Sequence, residues 1–229
     1  MDKVKFITTP LYYVNARPHI GHSYTQIAAD CLARYYRQRG KEVHFLTGTD
    51  EHGEKIALAA SEKGVELEKF IDRGVDNFKQ LWNTLDIHYD QFIRTTDEDH
   101  ISTVQQVVKI LQKKGLIYKD KYQGLYCVPC ESFFTKSQAE NNSCPDCGRE
   151  LEELSQESYF FKLSAFKDRL IQHVENNDFV KPDYRKNEVL GFLKQDLKDL
   201  SISRVDVKWG IPFPGDEEHT VYVWFDALL

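Results

Sequence analysis

The stretch Pro10-Leu11-Tyr12-Tyr13-Val14-Asn15-Ala16-Arg17-Pro18-His19-Ile20-Gly21-His22 joins two segments with different hydrophobic periods. Before it, Val4-Lys5-Phe6-Ile7-Thr8-Thr9 alternates, which predicts a short strand. After it, apolar residues recur at helical spacing until Gly40, which predicts an amphipathic helix. The predicted apolar stripe of that helix consists of Tyr24, Ile27, Ala28, Cys31, Leu32 and Tyr35. An α/β sheet binds nucleotides at such a strand-to-helix turn, because unpaired N–H groups and the positive end of the helix dipole meet there.

Three residues at this turn are candidates for phosphate contacts. Gly21 has no side chain, so a ligand can approach its backbone closely. His19 and His22 are three residues apart and can face one side of the first helical turn. Their ring N–H groups are then suited to donate hydrogen bonds to phosphate oxygens.

A second predicted strand, Glu42-Val43-His44-Phe45-Leu46-Thr47, follows the helix. A right-handed βαβ unit makes the two strands parallel and places the loop 48–53 beside the first turn. Asp50 in that loop could pair with a ligand ammonium group. The alternative is that Asp50 caps a helix beginning near Glu54, since aspartate is a favoured N-cap.

Two further amphipathic helices are interpreted as scaffold. The apolar stripe of the first consists of Leu67, Phe70, Ile71, Val75, Phe78, Leu81, Trp82 and Leu85. That of the second, which opens at 96–99, consists of Ile101, Val104, Val108 and Leu111. We expect Trp82 in the core, His100 exposed near the helix start, and Cys31 buried as a small thiol.

Four of the five cysteines form two C-x-x-C pairs, Cys127 with Cys130 and Cys144 with Cys147, separated by thirteen residues. Each pair forms a turn that offers two thiolates, and two such turns complete a tetrahedral S₄ zinc site. A closed four-thiolate site leaves no open position, so we predict one structural zinc ion (Zn2+) per chain. Disulfides are the less favoured alternative, because the first residues lead directly into a strand and do not form a signal peptide.

The composition is that of an ordinary globular protein, with 41% hydrophobic and 29% charged residues among 229. The formal net charge of −6 offers no basic patch, so any RNA contact of this chain is local or lies elsewhere in a longer protein. The sequence contains no apolar run of membrane-spanning length. We therefore expect a cytoplasmic protein that has no membrane partner.

The residues His19-Ile20-Gly21-His22, followed by Thr47-Gly48-Thr49-Asp50-Glu51-His52-Gly53, resemble the signatures of the class I aminoacyl-tRNA synthetases of the methionyl type. The segment 219–227 predicts a core strand that leads into a site. The segments 201–204, 209–215 and 223–227 resemble the same family, so the resemblance covers the whole chain. It implies an α/β fold: a doubly wound, parallel-sheet, Rossmann-like catalytic domain, incomplete here, with an inserted zinc-binding connective peptide domain. The implied boundaries are 1–115 for the first half of the catalytic domain, 116–215 for the insertion and 216–229 for the start of the second half.

The resemblance also implies a reaction. Methionine and ATP form methionyl-adenylate, and the methionyl group is then transferred to methionine tRNA. His19 and His22 would be catalytic and would bind ATP together with Gly21, and Mg2+ would accompany the ATP. The residues implied to bind methionine are Leu11, Tyr13, Asp50, Arg204, Trp224, Ala227 and Leu228. Of these, Asp50 would contact the amino group, and plain core packing after a buried strand is the alternative for Trp224.

A departure from the family pattern lies at the end of the chain. The lysine-rich KMSKS signature and the helical anticodon-binding domain of the family are not present in these residues, which makes the chain resemble the N-terminal part of a synthetase that is inactive alone. One alternative is a nucleotidyltransferase of the same superfold. Another is a non-catalytic zinc-ribbon module that binds nucleic acid, but acidic residues surround the cysteines. They are Glu131, Glu140, Asp146, Glu150, Glu152 and Glu153.

Overall fold

The strand β3 (Glu42–Asp50) is the centre of a parallel sheet. The strands β1 (Val4–Thr8) and β2 (Tyr12–Tyr13) pair with its first and last residues, and β4 (Gln91–Arg94) pairs with Leu46 to Thr49. The two predicted strands and their parallel pairing are thus confirmed. The predicted loop after Thr47 is partly wrong, because pairing with β2 and β4 keeps the chain extended as far as Asp50.

Four helices follow or connect these strands: α1 (Ile20–Gln38), α2 (Glu54–Glu62), α3 (Leu67–Thr84) and α4 (Glu98–Lys113). The α3 face predicted to be apolar is buried, and Trp82 is fully buried in the core, as expected. Val104 and Val108 of α4 are likewise buried. The hydrophobic periodicity of these two helices therefore predicted their packing correctly.

Helix α1 packs through a different face from the predicted one. All residues of its predicted stripe are exposed: Tyr24, Ile27, Ala28, Cys31, Leu32 and Tyr35. The buried positions are instead Gln26, Asp30 and Ala33. The oxygens of both polar side chains are hydrogen-bonded: Gln26 accepts from Tyr12 and Thr47, and Asp30 accepts from Arg34 and from the backbone of His88. The side-chain nitrogen of Gln26 is buried and has no hydrogen-bond partner among the described residues. The expectation that Cys31 is a buried thiol is therefore wrong.

Two glycines permit close packing around β3. A Cβ atom at Gly48 would lie 2.1 Å from the backbone oxygen of Ile93 on β4. A Cβ atom at Gly74 of α3 would lie 2.7 Å from the Cβ atom of Val14. Any side chain at either position would separate elements that are now in contact, so these glycines hold α3 and β4 close to the strand ends.

The structure is a computed structural model that describes residues 4–127, 132–134, 139, 142–145, 147–205 and 207–229. Its contacts define two units. The first comprises Met1–Gln105, Val207–Ile211 and Val223–Leu229, and the second comprises Gln106–Asp206 and Pro212–Tyr222. The domain boundaries at 115/116 and 215/216 stay a prediction.

The second unit contains antiparallel sheets and a helical pair. In one sheet β5 (Ile117–Cys127) lies between β6 (Ser132–Phe134) and β7 (Glu152–Phe161), and β7 also pairs with β8 (Leu200–Ser201). In the other, β11 (Asp216–Val221) lies between β9 (Ser203–Arg204) and β10 (Pro212–Phe213). The helices α5 (Lys167–Asn176) and α6 (Asp183–Lys194) contribute to a small apolar core, whose buried residues are Val174, Leu193 and Leu197.

The last element of the first unit is a short helix, α7 (Val223–Asp226). The sequence predicted a core strand that continues to Ala227, but the strand β11 ends at Val221 and the chain turns into α7. Trp224 is therefore on a helical turn and not on a strand. Among the described residues, no helix is both long enough and apolar enough to cross a membrane.

Candidate active site

The first turn of α1 is capped by its own histidines. His19 is the N-cap residue, and its Nδ1 atom accepts a hydrogen bond from the backbone N–H of Gly21 at 3.0 Å. The Nδ1 atom of His22 accepts from the backbone N–H of His19 at 3.1 Å, and the two rings stack with centroids 3.8 Å apart. Because both Nδ1 atoms are acceptors, each neutral ring carries its proton on Nε2.

The protonation of His22 follows from its surroundings. Partial burial lowers the pKa of His22, and the nearby His19 lowers it further. A lowered pKa keeps His22 neutral at pH 7, with Nε2–H as its remaining donor. Both predicted phosphate-contacting histidines thus lie together at the N-terminus of α1.

Gly21 serves the histidine cap as well as close approach. A Cβ atom at this position would lie 2.9 Å from Cε1 and 3.0 Å from Nδ1 of His19. The His19 ring occupies that space because it folds back to accept from the Gly21 N–H group. The sequence indicates that a ligand could use the space, and this role stays a prediction, whereas in the structure the His19 cap occupies it.

A carboxylate and two aromatic rings meet at the carboxyl end of β3. Asp50, only 2% exposed, is the register partner of Tyr13 in the parallel pairing of β2 with β3. The Trp224 ring lies edge-on to that of Tyr13, with centroids 6.1 Å apart and planes at 85°. Trp224 is 47% exposed, so its alternative interpretation as core packing is wrong.

The capping alternative for Asp50 is also wrong. Helix α2 begins at Glu54, its N-cap residue is Gly53, and no side chain caps it. Asp50 is instead the last residue of β3. A buried carboxylate at the end of a parallel strand is placed as a ligand contact would be, although its role stays a prediction.

The other predicted methionine contacts differ in exposure. Leu11 and Ala227 are half-buried, and Leu228 is 80% exposed. Arg204 lies in the second unit, where its guanidinium stacks over the Tyr222 ring at 3.9 Å and donates to the Ser201 hydroxyl and the Ser203 carbonyl. Their roles in binding stay predictions.

Glu51, which the sequence did not single out, anchors the segment that carries Asp50. Its carboxylate is fully buried and accepts from the Arg94 Nε–H group at 2.9 and 3.0 Å. It also accepts from the hydroxyls of Thr49 and Thr96, at 2.5 and 2.6 Å. Burial would lower the pKa of Arg94, but the hydrogen bonds and charges of Glu51 and Asp72 together outweigh burial and raise it.

A second buried cluster was also missed. Asp226 is fully buried, and its two carboxylate oxygens contact His52 Nδ1 at 2.7 Å and His100 Nε2 at 2.5 Å. The expectation that His100 is exposed is therefore wrong. No local pattern could have revealed the cluster, because Asp226 is 126 and 174 positions away from its two partners.

Three of the four predicted zinc ligands lie close together in the second unit. The ligand atoms of Cys127, Cys144 and Cys147 are all within 4.8 Å of one another. The Sγ atoms of Cys127 and Cys147 are 3.5 Å apart, far beyond a disulfide bond. A tetrahedral zinc–thiolate site separates its sulfurs by about 3.8 Å, so the three thiols fit such a metal. Cys130 lies outside the described residues.

Comparison with known proteins agrees with this arrangement. The family model described as tRNA synthetases class I (M) matches residues 5–154 and 149–229. The proteins named methionine–tRNA ligase from Clostridium tetani and Clostridium perfringens are both 53% identical over 99% of this chain. The chain spans only about a third of those relatives, 36% and 35% of their lengths.

A solved structure is similar over the same range. Mycobacterium tuberculosis methionyl-tRNA synthetase in complex with methionyl-adenylate is 42% identical, with a TM-score of 0.93. The match covers 99% of this chain and 45% of that one. These findings confirm the predicted Rossmann-like fold class and favour the synthetase interpretation over the nucleotidyltransferase and zinc-ribbon alternatives. With its parallel sheet, its capped histidine turn and this near-complete family match, the chain belongs to the class I tRNA synthetases of the M type.

Proposed function

We propose that the full-length gene product containing this chain activates methionine with ATP and transfers it to methionine tRNA. The observation that carries the proposal is the meeting of Asp50, Tyr13 and Trp224 at the carboxyl end of the parallel sheet. The His22 ring lies edge-on to Tyr12, the neighbour of Tyr13, with centroids 5.1 Å apart. The N-terminus of α1 therefore lies against the strand β2, which also carries Tyr13, at the carboxyl end of the parallel sheet where α/β folds bind ligands.

ATP is proposed to lie at the N-terminus of α1, with its phosphates near His19, Gly21 and His22. The capping hydrogen bonds leave the Nε2–H groups of both histidines as donors. In the reaction, a methionine carboxylate oxygen bonds to the α-phosphorus while the bond to the bridging oxygen breaks and pyrophosphate leaves. The protein positions the reactants and stabilises charge, and no enzyme nucleophile is required. Mg2+ would be held chiefly by the ATP phosphates.

Methionine is proposed to lie between the aromatic rings and the buried carboxylate. A thioether packs favourably against ring edges, and the half-exposed Trp224 and the ring of Tyr13 offer such surfaces. Asp50 would pair with the α-ammonium group. The remaining proposed contacts are Leu11, Arg204, Ala227 and Leu228.

The cysteine cluster is proposed to hold one structural zinc ion through Cys127, Cys130, Cys144 and Cys147. The proximity of three of these thiols supports it. A four-thiolate site has no open position for substrate, so the metal would stabilise the second unit and take no part in the reaction. The proposed location is the cytoplasm, where aminoacylated tRNA serves protein synthesis.

The test is methionine-dependent exchange of pyrophosphate into ATP by the full-length gene product. We expect Asp50→Asn to weaken the binding of methionine by on the order of 2–5 kcal/mol, because the α-ammonium group of methionine loses its carboxylate partner. The KM for ATP should change little. Asp30→Asn is the matched control, since Asp30 is also a buried, hydrogen-bonded aspartate but contacts Arg34 and His88. No exchange by the wild type, or normal exchange by Asp50→Asn, would contradict the proposed function or the role of Asp50, respectively.

A further inference from the structure

Asp226 joins three segments of the first unit that are distant in sequence. His52 lies two residues after Asp50, at the end of β3, and His100 is in the first turn of α4. Asp226 ends the short helix α7, two residues after Trp224. One carboxylate thus connects the strand end, a scaffold helix and the helix that carries the exposed indole.

The hydrogen-bonding atoms define the state of this cluster. The carboxylate of Asp226 can only accept, so His52 donates from Nδ1 and His100 donates from Nε2. Burial alone would raise the pKa of Asp226, but the hydrogen bonds from His100 and His52 outweigh it, and the pKa is lowered. Asp226 is therefore an ionised carboxylate with both oxygens used. The Trp209 ring lies against His52, with centroids 5.7 Å apart, and limits its movement from another side.

Helix α7 depends on contacts with the rest of the first unit to hold its position. It contains only four residues, and an isolated helix of that length is not stable. Val223 is buried, whereas Trp224 and Leu228 near the two ends are exposed. Two buried hydrogen bonds to Asp226 attach α7 to His52 and His100 of the first unit.

We propose that Asp226, held between His52 and His100, is a positioning residue for methionine recognition: it fixes α7 so that the Trp224 indole stands edge-on to Tyr13, the register partner of Asp50. The proposal rests on the proposed function. Asp226 does not touch the substrate and acts through Trp224. Positioning of a binding group matters because a displacement of about 1 Å can cost on the order of 100-fold in rate.

The test combines kinetics with a spectroscopic readout in the full-length gene product. Asp226→Asn keeps the size of the side chain but has one acceptor oxygen for two donors. We expect it to raise the KM for methionine by roughly 10- to 100-fold, with the KM for ATP changed less than about twofold. The indole ¹H–¹⁵N signal of Trp224 should shift or broaden in the same variant without substrate, while the signal of the buried Trp82 stays in place.

Conservative and non-conservative variants of His100 separate positioning from packing. In His100→Gln the side-chain amide can donate from nearly the same place as Nε2, whereas His100→Leu fills the space without a donor. We expect His100→Gln to retain most of the methionine affinity and the Trp224 signal, and His100→Leu to lose both. Asp30→Asn, which changes a buried aspartate on α1, should leave both readouts unchanged.

The outcomes distinguish this proposal from the proposed function. If folded Asp226→Asn keeps a wild-type methionine KM and Trp224 signal, or if His100→Gln and His100→Leu are equally impaired, the positioning role is wrong. If the wild type shows no methionine-dependent exchange, the proposed function fails. The Trp224 signal then still decides whether Asp226 positions α7.

Discussion

At the scale of single residues, the histidine turn shows how a short motif serves its own structure as well as chemistry. The backbone N–H groups of His19 and Gly21 are orphan donors at a helix start, and imidazole Nδ1 atoms accept from both. This use of Nδ1 directs the remaining proton of each ring to Nε2. The capping geometry therefore determines which ring atoms are left to donate to a ligand.

Gly21 provides the residue-scale prediction. In Gly21→Ala the new Cβ atom would meet the His19 ring at 2.9 Å, so the ring must move and the cap weakens. We expect the first turn of α1 to lose about 1 kcal/mol of stability, as for other lost N-caps. Amide hydrogen exchange of α1 measures this directly.

Gly191 offers the contrasting substitution. It lies inside α6, and an added Cβ atom would meet nothing within 4 Å. Gly191→Ala should therefore stabilise α6 by about 0.5–1 kcal/mol, because alanine loses less backbone entropy in a helix.

For Gly21→Ala, the contradicting outcome is amide exchange in α1 that is slower than in the wild type. That result would show that the histidine cap does not depend on the space at Gly21.

At the scale of elements, the end of β3 is held by a buried ion pair. Arg94 on β4 contacts two carboxylates: the fully buried Glu51 and Asp72, whose side chain is 62% exposed. The same guanidinium thus makes one buried and one exposed pair, which differ chiefly in access to water. Buried charges are costly to leave alone, whereas exposed pairs contribute little.

Two substitutions test this difference. Arg94→Met should destabilise the first unit by about 3–5 kcal/mol, because the Glu51 carboxylate remains buried without its cation. Asp72→Ala should cost less than about 1 kcal/mol. All three tryptophans lie in the first unit, so fluorescence during denaturant unfolding follows that unit. Equal costs for the two variants would contradict the burial argument.

Helix α1 gives a second element-scale prediction. Its predicted apolar stripe is exposed, whereas the apolar stripe of α3 is buried. In the 229-residue chain, Ile27→Ala on α1 should change the free energy of unfolding by less than about 0.5 kcal/mol. Ile71→Ala on α3 should cost about 2–5 kcal/mol, because it leaves a cavity. The same fluorescence measurement compares them, and a large cost at Ile27 would show that this face of α1 is packed.

At the scale of the whole molecule, the two units have separate cores. The first is built around Phe45, Phe78 and Trp82, and the second contains a small cluster that includes Cys127 and Cys144. The cysteine cluster therefore belongs to the core of the second unit. The stability of the second unit should depend on the proposed metal, whereas the stability of the parallel sheet in the first unit should not.

Metal removal tests this separation. The purified chain should contain about one zinc ion, and Cys144→Ser should lose it, whereas Cys31→Ser should retain it because Cys31 is exposed on α1. A chelator should speed amide exchange in β5 and β7 and leave β1 and β3 unchanged. A chain that contains no zinc when purified without chelator would contradict the proposed site.

Local patterns predicted much of the fold and part of the site. Strand alternation predicted β1 and β3, helical periodicity predicted α3 and α4, and the strand-to-helix turn predicted where His19 and His22 lie. These features are encoded within a few residues, so spacing and residue type reveal them. The wrong face of α1 has a different origin. Its buried face carries the polar residues Gln26 and Asp30, whose oxygens accept hydrogen bonds from Tyr12 and His88, groups that are distant in sequence.

Residue types and their spacing were enough to predict the α/β class, the parallel βαβ unit, the histidine turn and the cysteine pairs. Long-range packing established that Glu51 pairs with Arg94, that Trp224 lies on a short helix against Tyr13, and that Asp226 joins His52 and His100. Each of these depends on side chains separated by tens to hundreds of positions, whose approach is set by how the strands and helices pack. Buried carboxylates in particular cannot be recognised from their neighbours in sequence, because only folding brings them the partners that make burial possible.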